Sequence, residues 1–267
     1  MLFRSFGRPP TGSEDKRERI LNEAVALFGA RGYAGTSLAD VADAADISKA
    51  GLLHHFSSKG ALFAQVQARL IALMQLTLPG LPVVYYGDEI GMANAPIRFE
   101  EIQDKSVFSH GNDESVGRDP ERTPMQWTAG QNAGFSTAKP WLPVNPACQN
   151  VNVESEQNEP DSFLALYRRL LTLRSRYEIL RTGEYEPLSD TDNDIFAYAR
   201  WIGREQHVFV ALNFGNTKHR VALPHTGSIL CATHPTDYPE VADDGSVELR
   251  PYEGVLIGCS EHRLSIE

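Results

Sequence analysis

Residues 36–51 read Thr36-Ser37-Leu38-Ala39-Asp40-Val41-Ala42-Asp43-Ala44-Ala45-Asp46-Ile47-Ser48-Lys49-Ala50-Gly51. This stretch holds two helix starts separated by one tight turn. Ser37 and Asp40 stand at the spacing of a capping box, which predicts a short helix through Val41 and Ala45. Asp46-Ile47-Ser48 reads as the turn, and Ser48 can cap a further helix from Lys49 to about His55. Upstream, Ile20, Ala24, Leu27 and Phe28 recur at helical spacing and predict a helix that Gly32 stops. Downstream, Ser57-Ser58-Lys59 predicts the start of a fourth helix through Leu62, Phe63 and Val66. Leu27, Phe28, Val41, Ile47 and Phe56 are the expected core. Residues 1–15 are polar, carry Pro9-Pro10 and Gly12, and read as a disordered arm.

Two short helices across a tight turn, braced by a longer one, form a helix-turn-helix. In that plan the second short helix enters the major groove and its early residues meet base edges. Those residues are Ser48, Lys49, Ala50 and Gly51, whose mostly small side chains permit close approach of the backbone. Lys59 is expected to pair with a phosphate, near a helix N-terminus whose free N–H groups also favour an anion. The block resembles the TetR family of transcriptional regulators. Ile20, Ala24, Leu27-Phe28, Gly32-Tyr33, Thr36-Ser37, Val41-Ala42, Ile47-Ser48-Lys49, His54-His55-Phe56, Lys59 and Leu62 carry the resemblance. It implies double-stranded DNA as partner, with Thr36, Ser37, Ser48, Lys49, Ala50, Gly51, His54, His55 and Lys59 as contacts. Leu53 stands where the family often has a phosphate-touching Tyr. His54 and His55 also admit a plain structural role at a negative helix end.

The net charge of −10 argues against a nucleic-acid binder for the chain as a whole. The charge is unevenly spread, with nine Lys/Arg against seven Asp/Glu through residue 75 and sixteen against twenty-eight after it. Such asymmetry suggests segments with different partners. Cys148, Cys231 and Cys259 are odd in number and form no CxxC pair, so no disulfide framework or metal site is expected. Met1-Leu2-Phe3-Arg4 opens no signal-peptide core, and the most apolar stretch, residues 70–86, is too interrupted to span a membrane. The expectation is a cytoplasmic protein without membrane contact or cofactor.

From Leu76 the pattern changes. Leu78-Pro79-Gly80-Leu81-Pro82 reads as a sharp turn and Val83-Val84-Tyr85-Tyr86 as a short strand buried on both faces. A long polar loop to about Glu159 follows, then a helix capped by Asp161 with Phe163, Leu164, Tyr167, Leu170, Leu171 and Arg174 at helical spacing. Thr77-Leu78-Pro79-Gly80, Tyr85-Tyr86-Gly87-Asp88-Glu89-Ile90-Gly91-Met92, Gly117-Arg118-Asp119-Pro120, Arg122-Thr123-Pro124-Met125-Gln126-Trp127, Gly134-Phe135-Ser136, Pro140-Trp141-Leu142-Pro143 and Asn152-Val153 resemble the last strand, loop and helix of the α-amylase superfamily. The branch resembled is that of α-glucosidases and oligo-1,6-glucosidases. The resemblance implies a vestigial sugar contact at Arg118 and Arg122, hence residual contact with an α-glucoside. Alternatively, Arg118 and Asp119 pin the loop. Glycoside cleavage needs two carboxylates across the scissile bond, and this family sets its carboxylates after strands four, five and seven. Only strand eight onward is resembled here. Asp88 and Glu89, adjacent on a strand, would point to opposite faces. No catalytic residue is therefore expected, and the chain is expected not to be an enzyme.

From about Leu180, runs at 194–200, 207–212, 220–223, 227–230, 246–249 and 254–257 alternate like strands between turns, predicting a small β-sandwich like the one that follows the barrel in the same glucosidases. The fold class expected is multidomain α and β. It comprises an arm (1–15), an all-α helix-turn-helix bundle (16–75), the last strand, loop and helix of a (β/α)8 barrel (76–179), and a C-terminal antiparallel β-sandwich (180–267). The two resemblances meet near Leu70–Leu76, where one helix serves either. Three readings follow: a TetR-type DNA-binding regulator head on a catalytically incomplete glucosidase fragment, a carbohydrate-active fragment inactive alone, and a fusion without function. A single head without the dimerising helices of its family would bind DNA weakly, at a Kd on the order of 10⁻⁴ to 10⁻⁵ M.

Overall fold

The computed structural model describes residues 15–56, 58–188, 194–203, 206–223, 227–233 and 238–260. Residues 1–14 of the expected arm, Ser57, Arg204 and Glu205 lie outside the described residues. Helix α1 spans Asp15–Arg31, α2 Leu38–Ala44, α3 Lys49–His55 and α4 Lys59–Thr77. The caps form as expected. The Ser37 hydroxyl accepts from the Asp40 amide at 3.2 Å while the Asp40 carboxylate accepts from the Ser37 amide at 2.8 Å. Ser48 caps α3 and Ser58 caps α4. Gly32 ends α1 in the left-handed region at φ 70°. Asp46 turns the chain between α2 and α3 at φ 51°, a conformation that Asp tolerates better than most side chains.

Helix α4 runs through the expected junction without a break. Its early turns bury one stripe, Leu62 and Val66, whereas from Arg69 onward Arg69, Leu70, Ala72, Leu73, Leu76 and Thr77 are all buried. A helix changes this way when it passes from a bundle's surface into a core. The tail supplies that core. Helix α7, Phe163–Arg176, and a sheet lie against α4, and one apolar cluster joins Ile20, Phe28, Val41, Leu52, Leu62, Leu70 and Leu73 to Phe163, Tyr167, Leu170, Val208, Val210, Leu212 and Leu256. Fully burying Leu70, Leu73 and Leu76 stabilises the join by about 1.5–3 kcal/mol each. The boundary expected at residue 75 is thus no boundary in packing.

Residues 78–162 contain no paired strand. Val83–Tyr86 joins no sheet and ends in a turn closed by the Asp88 amide donating to Tyr85 O at 3.0 Å, and Leu81, Val83 and Tyr85 are exposed. The expected last barrel strand is therefore corrected: a central parallel strand is held by ladders on both edges, and among the described residues none stands beside it. The rest of the segment is single 3₁₀ turns with two short helices, α5 (Lys105–Ser109) and α6 (Val153–Glu156). Ser162, not Asp161, caps α7, accepting from the Ala165 amide at 3.1 Å.

After α8, Ile179–Thr182, come β1 (Glu184–Pro187), β2 (Ile195–Ile202), β3 (Gln206–Asn213), β4 (His219–Ala222), β5 (Ser228–Ala232), β6 (Ser246–Leu249) and β7 (Gly254–Ser260). They form an antiparallel five-stranded sheet, β1-β2-β3-β7-β5, and a two-stranded sheet, β4-β6. Period-two alternation gives the large sheet two apolar faces. Tyr198, Val208, Val210 and Leu256 face the helices. Ala197, Ala199, Phe209, Ala211, Val255 and Ile257 pack on Val221, Val247 and Leu249 of the small sheet. The sandwich expectation is met in outline, with a helical layer added.

Two buried arginines hold the join. The last carbonyls of a helix lack partners and carry partial negative charge. Arg174 donates to Leu76 O at 2.9 Å and Leu78 O at 3.2 Å. Arg200, fully buried on β2, donates to Thr77 O at 2.8 Å, Gly183 O at 2.7 Å and Leu180 O at 3.2 Å. Thr77 and Tyr198 share a hydrogen bond of 2.6 Å beside them.

Candidate nucleic-acid interface

Helix α3, the second short helix of the helix-turn-helix, presents Ser48, Lys49 and Ala50 to solvent at its N-terminus. The Ser48 hydroxyl accepts from the Gly51 amide at 3.0 Å, so the cap consumes one N–H and leaves the opening turn otherwise free for an anion. A side chain at Gly51 would place its first carbon 3.3 Å from that hydroxyl, so glycine keeps the cap unstrained. Ser37, also exposed, starts α2 with Asp40, whose carboxyl the hydrogen bonds from Ser37 hold below its usual range. Arg31 lies 3.6 Å from the same carboxylate. Ser37, Ser48, Lys49 and Ala50 are each exposed at or beside a helix start.

Three expected DNA contacts are placed otherwise. Thr36 is buried and its hydroxyl donates to Leu27 O at 3.1 Å and Gly32 O at 3.0 Å, closing the end of α1. Lys59 turns inward: its ammonium donates to Tyr33 O at 2.6 Å and Thr36 O at 2.9 Å and sits 4.2 Å from the Tyr33 ring centre. Both carbonyls belong to the turn between α1 and α2, and they take up the ammonium donors that a phosphate would otherwise use. His55 is half-buried against the tail, in a cavity of about 430 Å³ shared with Arg17, Gln149, Asn150, Asn152 and Glu154. Burial pushes its pKa down to about 4, with His54, Arg17 and Lys16 adding repulsion, and its Nδ1 has no hydrogen-bond partner. His54 remains exposed and, with Leu53, lines a second cleft facing Asn94, Pro96 and Pro146 of the tail.

Sequence reading passed over Arg17, which ties the head to the tail at this point. It is buried, donates to the Gln65 side chain at 2.8 Å, lies 3.5 Å from the Glu156 carboxylate and stacks on Phe56 and Phe163. No local pattern announces it, because Glu156 and Phe163 belong to the distant segment.

The expected sugar contacts lie apart from this face. The Arg118 side chain is 63% exposed and its guanidinium lies 3.8 Å from Asp104, which also accepts from the Arg118 amide at 3.1 Å. Buried Asp119 accepts from the amides of Gln103 at 2.6 Å and Asp104 at 2.8 Å. Asp119 and Asp104 thus tie the loop together through backbone amides, while the Arg118 guanidinium stays open to solvent. Hydrogen bonds from Ser106 and Arg118 hold Asp104 at about 2. Arg122 is exposed. Asp88 and Glu89 sit in a 3₁₀ turn rather than on a strand, accepting from the amides of Tyr85 and Gly87 at 3.1 and 2.7 Å. Among the described residues no group of His, Cys, Asp and Glu could hold a metal, and no helix is long and apolar enough to cross a membrane.

Comparison with known proteins divides the chain in two. Residues 20–66 match the family of bacterial regulatory proteins, tetR family, and residues 54–183 match the alpha amylase catalytic domain. The matches overlap at the end of α3 and the start of α4. The probable oligo-1,6-glucosidase 2 of Bacillus subtilis is 34% identical over 209 residues, covering 72% of this chain and 37% of that protein. The oligo-1,6-glucosidase of Parageobacillus thermoglucosidasius is 33% identical, covering 70% of this chain and 36% of its own. Among solved structures, the trehalulose synthase MutB from Pseudomonas mesoacidophila MX-45 superposes with a TM-score of 0.65 at 30% identity, over 72% of this chain and 38% of that one. The chain thus spans little more than a third of the length of the curated relatives it matches. It is a chimera carrying one segment similar to each family.

Proposed function

We propose that the chain is a DNA-binding protein of TetR type, in which the glucosidase-like tail braces the helix-turn-helix and performs no chemistry. The observation that carries this reading is the exposed, capped start of α3, with Ser48, Lys49 and Ala50 open to solvent. Ser37, Ser48, Lys49, Ala50, Gly51 and His54 form the contact set. Thr36, Lys59 and His55 act as positioning residues, setting α1 against α4 and α3 against the tail. A single head contacts one half-site, so affinity is modest and strongly salt-dependent. Fluorescence anisotropy with a pool of duplexes tests the reading. Binding at about 10⁻⁵ M in low salt, weakened severalfold by Lys49→Ala and lost at high salt, is expected. No binding at low salt ends it.

A second reading rests on the exposed Trp127 and Trp141 and the exposed Arg118 and Arg122 in the tail. These suit contact with an α-glucoside without turnover. Titration of maltose and isomaltose followed by tryptophan fluorescence tests it, and an unchanged spectrum at saturating sugar removes it. Absence of turnover belongs to the first reading as well, since the tail resembles only the part of the barrel after the catalytic strands. Release of glucose from either sugar would overturn that point.

A further inference from the structure

A groove of about 660 Å³ lies between α1 and residues 216–218 and 250–251 of the β part. This is the volume of a small-molecule site. Its floor is apolar: Val25, Ala26 and Ala30 from α1, and Pro251 opposite. The α1 backbone reaches Pro251 because position 29 is glycine, where a first side-chain carbon would lie 2.6 Å from the proline ring. The small side chains flanking that contact leave the space open.

The charges that line the groove are Lys218 and Arg250, with no carboxylate among them, in a chain of net charge −10. Arg250 is committed, its guanidinium held by the fully buried Glu253 at 2.6 Å. Lys218 is not. Its partner Glu248 lies at 2.8 Å, and both side chains are more than 60% exposed. An exposed pair of this kind is worth little and exchanges readily for another anion. We propose that this groove binds a small organic anion with an apolar body, an aryl or short alkyl carboxylate or sulfonate, its body on α1 and Pro251 and its charge on Lys218. The site joins the two fused segments, and neither creates it alone. It does not depend on the DNA-binding reading.

Titration of the full chain with 8-anilinonaphthalene-1-sulfonate, competed by phenylacetate, tests the proposal. One saturable site displaced by phenylacetate is expected. Ala26→Trp, on an exposed position of α1, fills the groove and weakens the site about tenfold or more, equivalent to one step of 1.4 kcal/mol. Lys218→Gln weakens it about threefold, the scale of one exposed ion contact, and Lys218→Arg restores it. Ala30→Phe gives the same loss if Ala26→Trp lowers the melting temperature. Wild-type affinity in both filled variants overturns the proposal. So does an unchanged affinity in Lys218→Gln, or the absence of a saturable site in the wild type.

Discussion

The helix-turn-helix at 37–55 and the run at 81–86 lie in segments similar to two different families, and the first is an ordered element whereas the second is not. The difference lies in where their stabilisation comes from. Ser37 with Asp40, and Ser48 with Gly51, are bonded to residues three positions away. A helix so capped brings its hydrogen bonds with it. Val83–Tyr86 has the composition of a buried parallel strand, but every ladder bond of such a strand belongs to another segment. Among the described residues nothing supplies them, and Leu81 stands 91% exposed. Order written within a few residues forms wherever that stretch stands, whereas order that depends on distant partners needs those partners present.

The largest test asks whether the join is as non-local as the packing implies. Arg200→Leu leaves the carbonyls of Thr77, Leu180 and Gly183 buried without a donor. A loss on the order of 3 kcal/mol is expected, since each orphaned buried acceptor costs about 1–3 kcal/mol. Helical circular dichroism and tryptophan fluorescence should then fall in one transition. Two separate transitions in the wild type would mean that head and tail fold independently.

The next effect is in pH. The folded pKa of His55, about 4, lies below its ordinary value, so the folded state prefers the neutral ring. Its contribution is intact above about pH 6.5 and is lost as pH falls toward 4, because the unfolded chain takes the proton first. With allowance for solvent screening this amounts to roughly 1–2 kcal/mol. Melting temperatures between pH 7 and pH 4.5 should fall less steeply in His55→Gln than in the wild type. Equal slopes would show that the tail does not bury this ring.

Ser48→Ala removes the α3 cap and should cost about 1 kcal/mol, measured by urea unfolding. An unchanged midpoint would mean that tertiary packing, not the cap, holds α3, which would weaken the contrast with 81–86. The smallest effect sharpens it. Val83→Asp should change stability by no more than about 0.5 kcal/mol, because the residue is exposed and no ladder runs through it. A loss of several kcal/mol would reveal a buried strand.

What could be read in the sequence follows the same division. Caps at Ser37 and Ser48, the stop at Gly32 and the period-two strands of residues 195–260 were legible, because each is written within a few residues. The cap of α7 was misplaced by one position, from Ser162 to Asp161, both residues being good caps. Sequence places Thr36 and Lys59 as contacts, whereas their side chains are taken up by carbonyls of the last turns of α1 and of the turn after it. Arg17 and Arg200 carry no local signal, and Arg174 shows only its place at helical spacing with Phe163, Tyr167 and Leu170. Their partners lie in other segments, as Arg174 with Leu76 and Arg200 with Thr77 illustrate, and only the folded chain brings them together.

Amide hydrogen exchange on the full chain tests most directly whether α4 is one helix shared by both segments. Amides of residues 66–77 should be protected to the same degree as those of β3 at 208–212, while 83–86 exchange within seconds to minutes. Fast exchange beyond residue 70, or slow exchange at 83–86, would contradict the account.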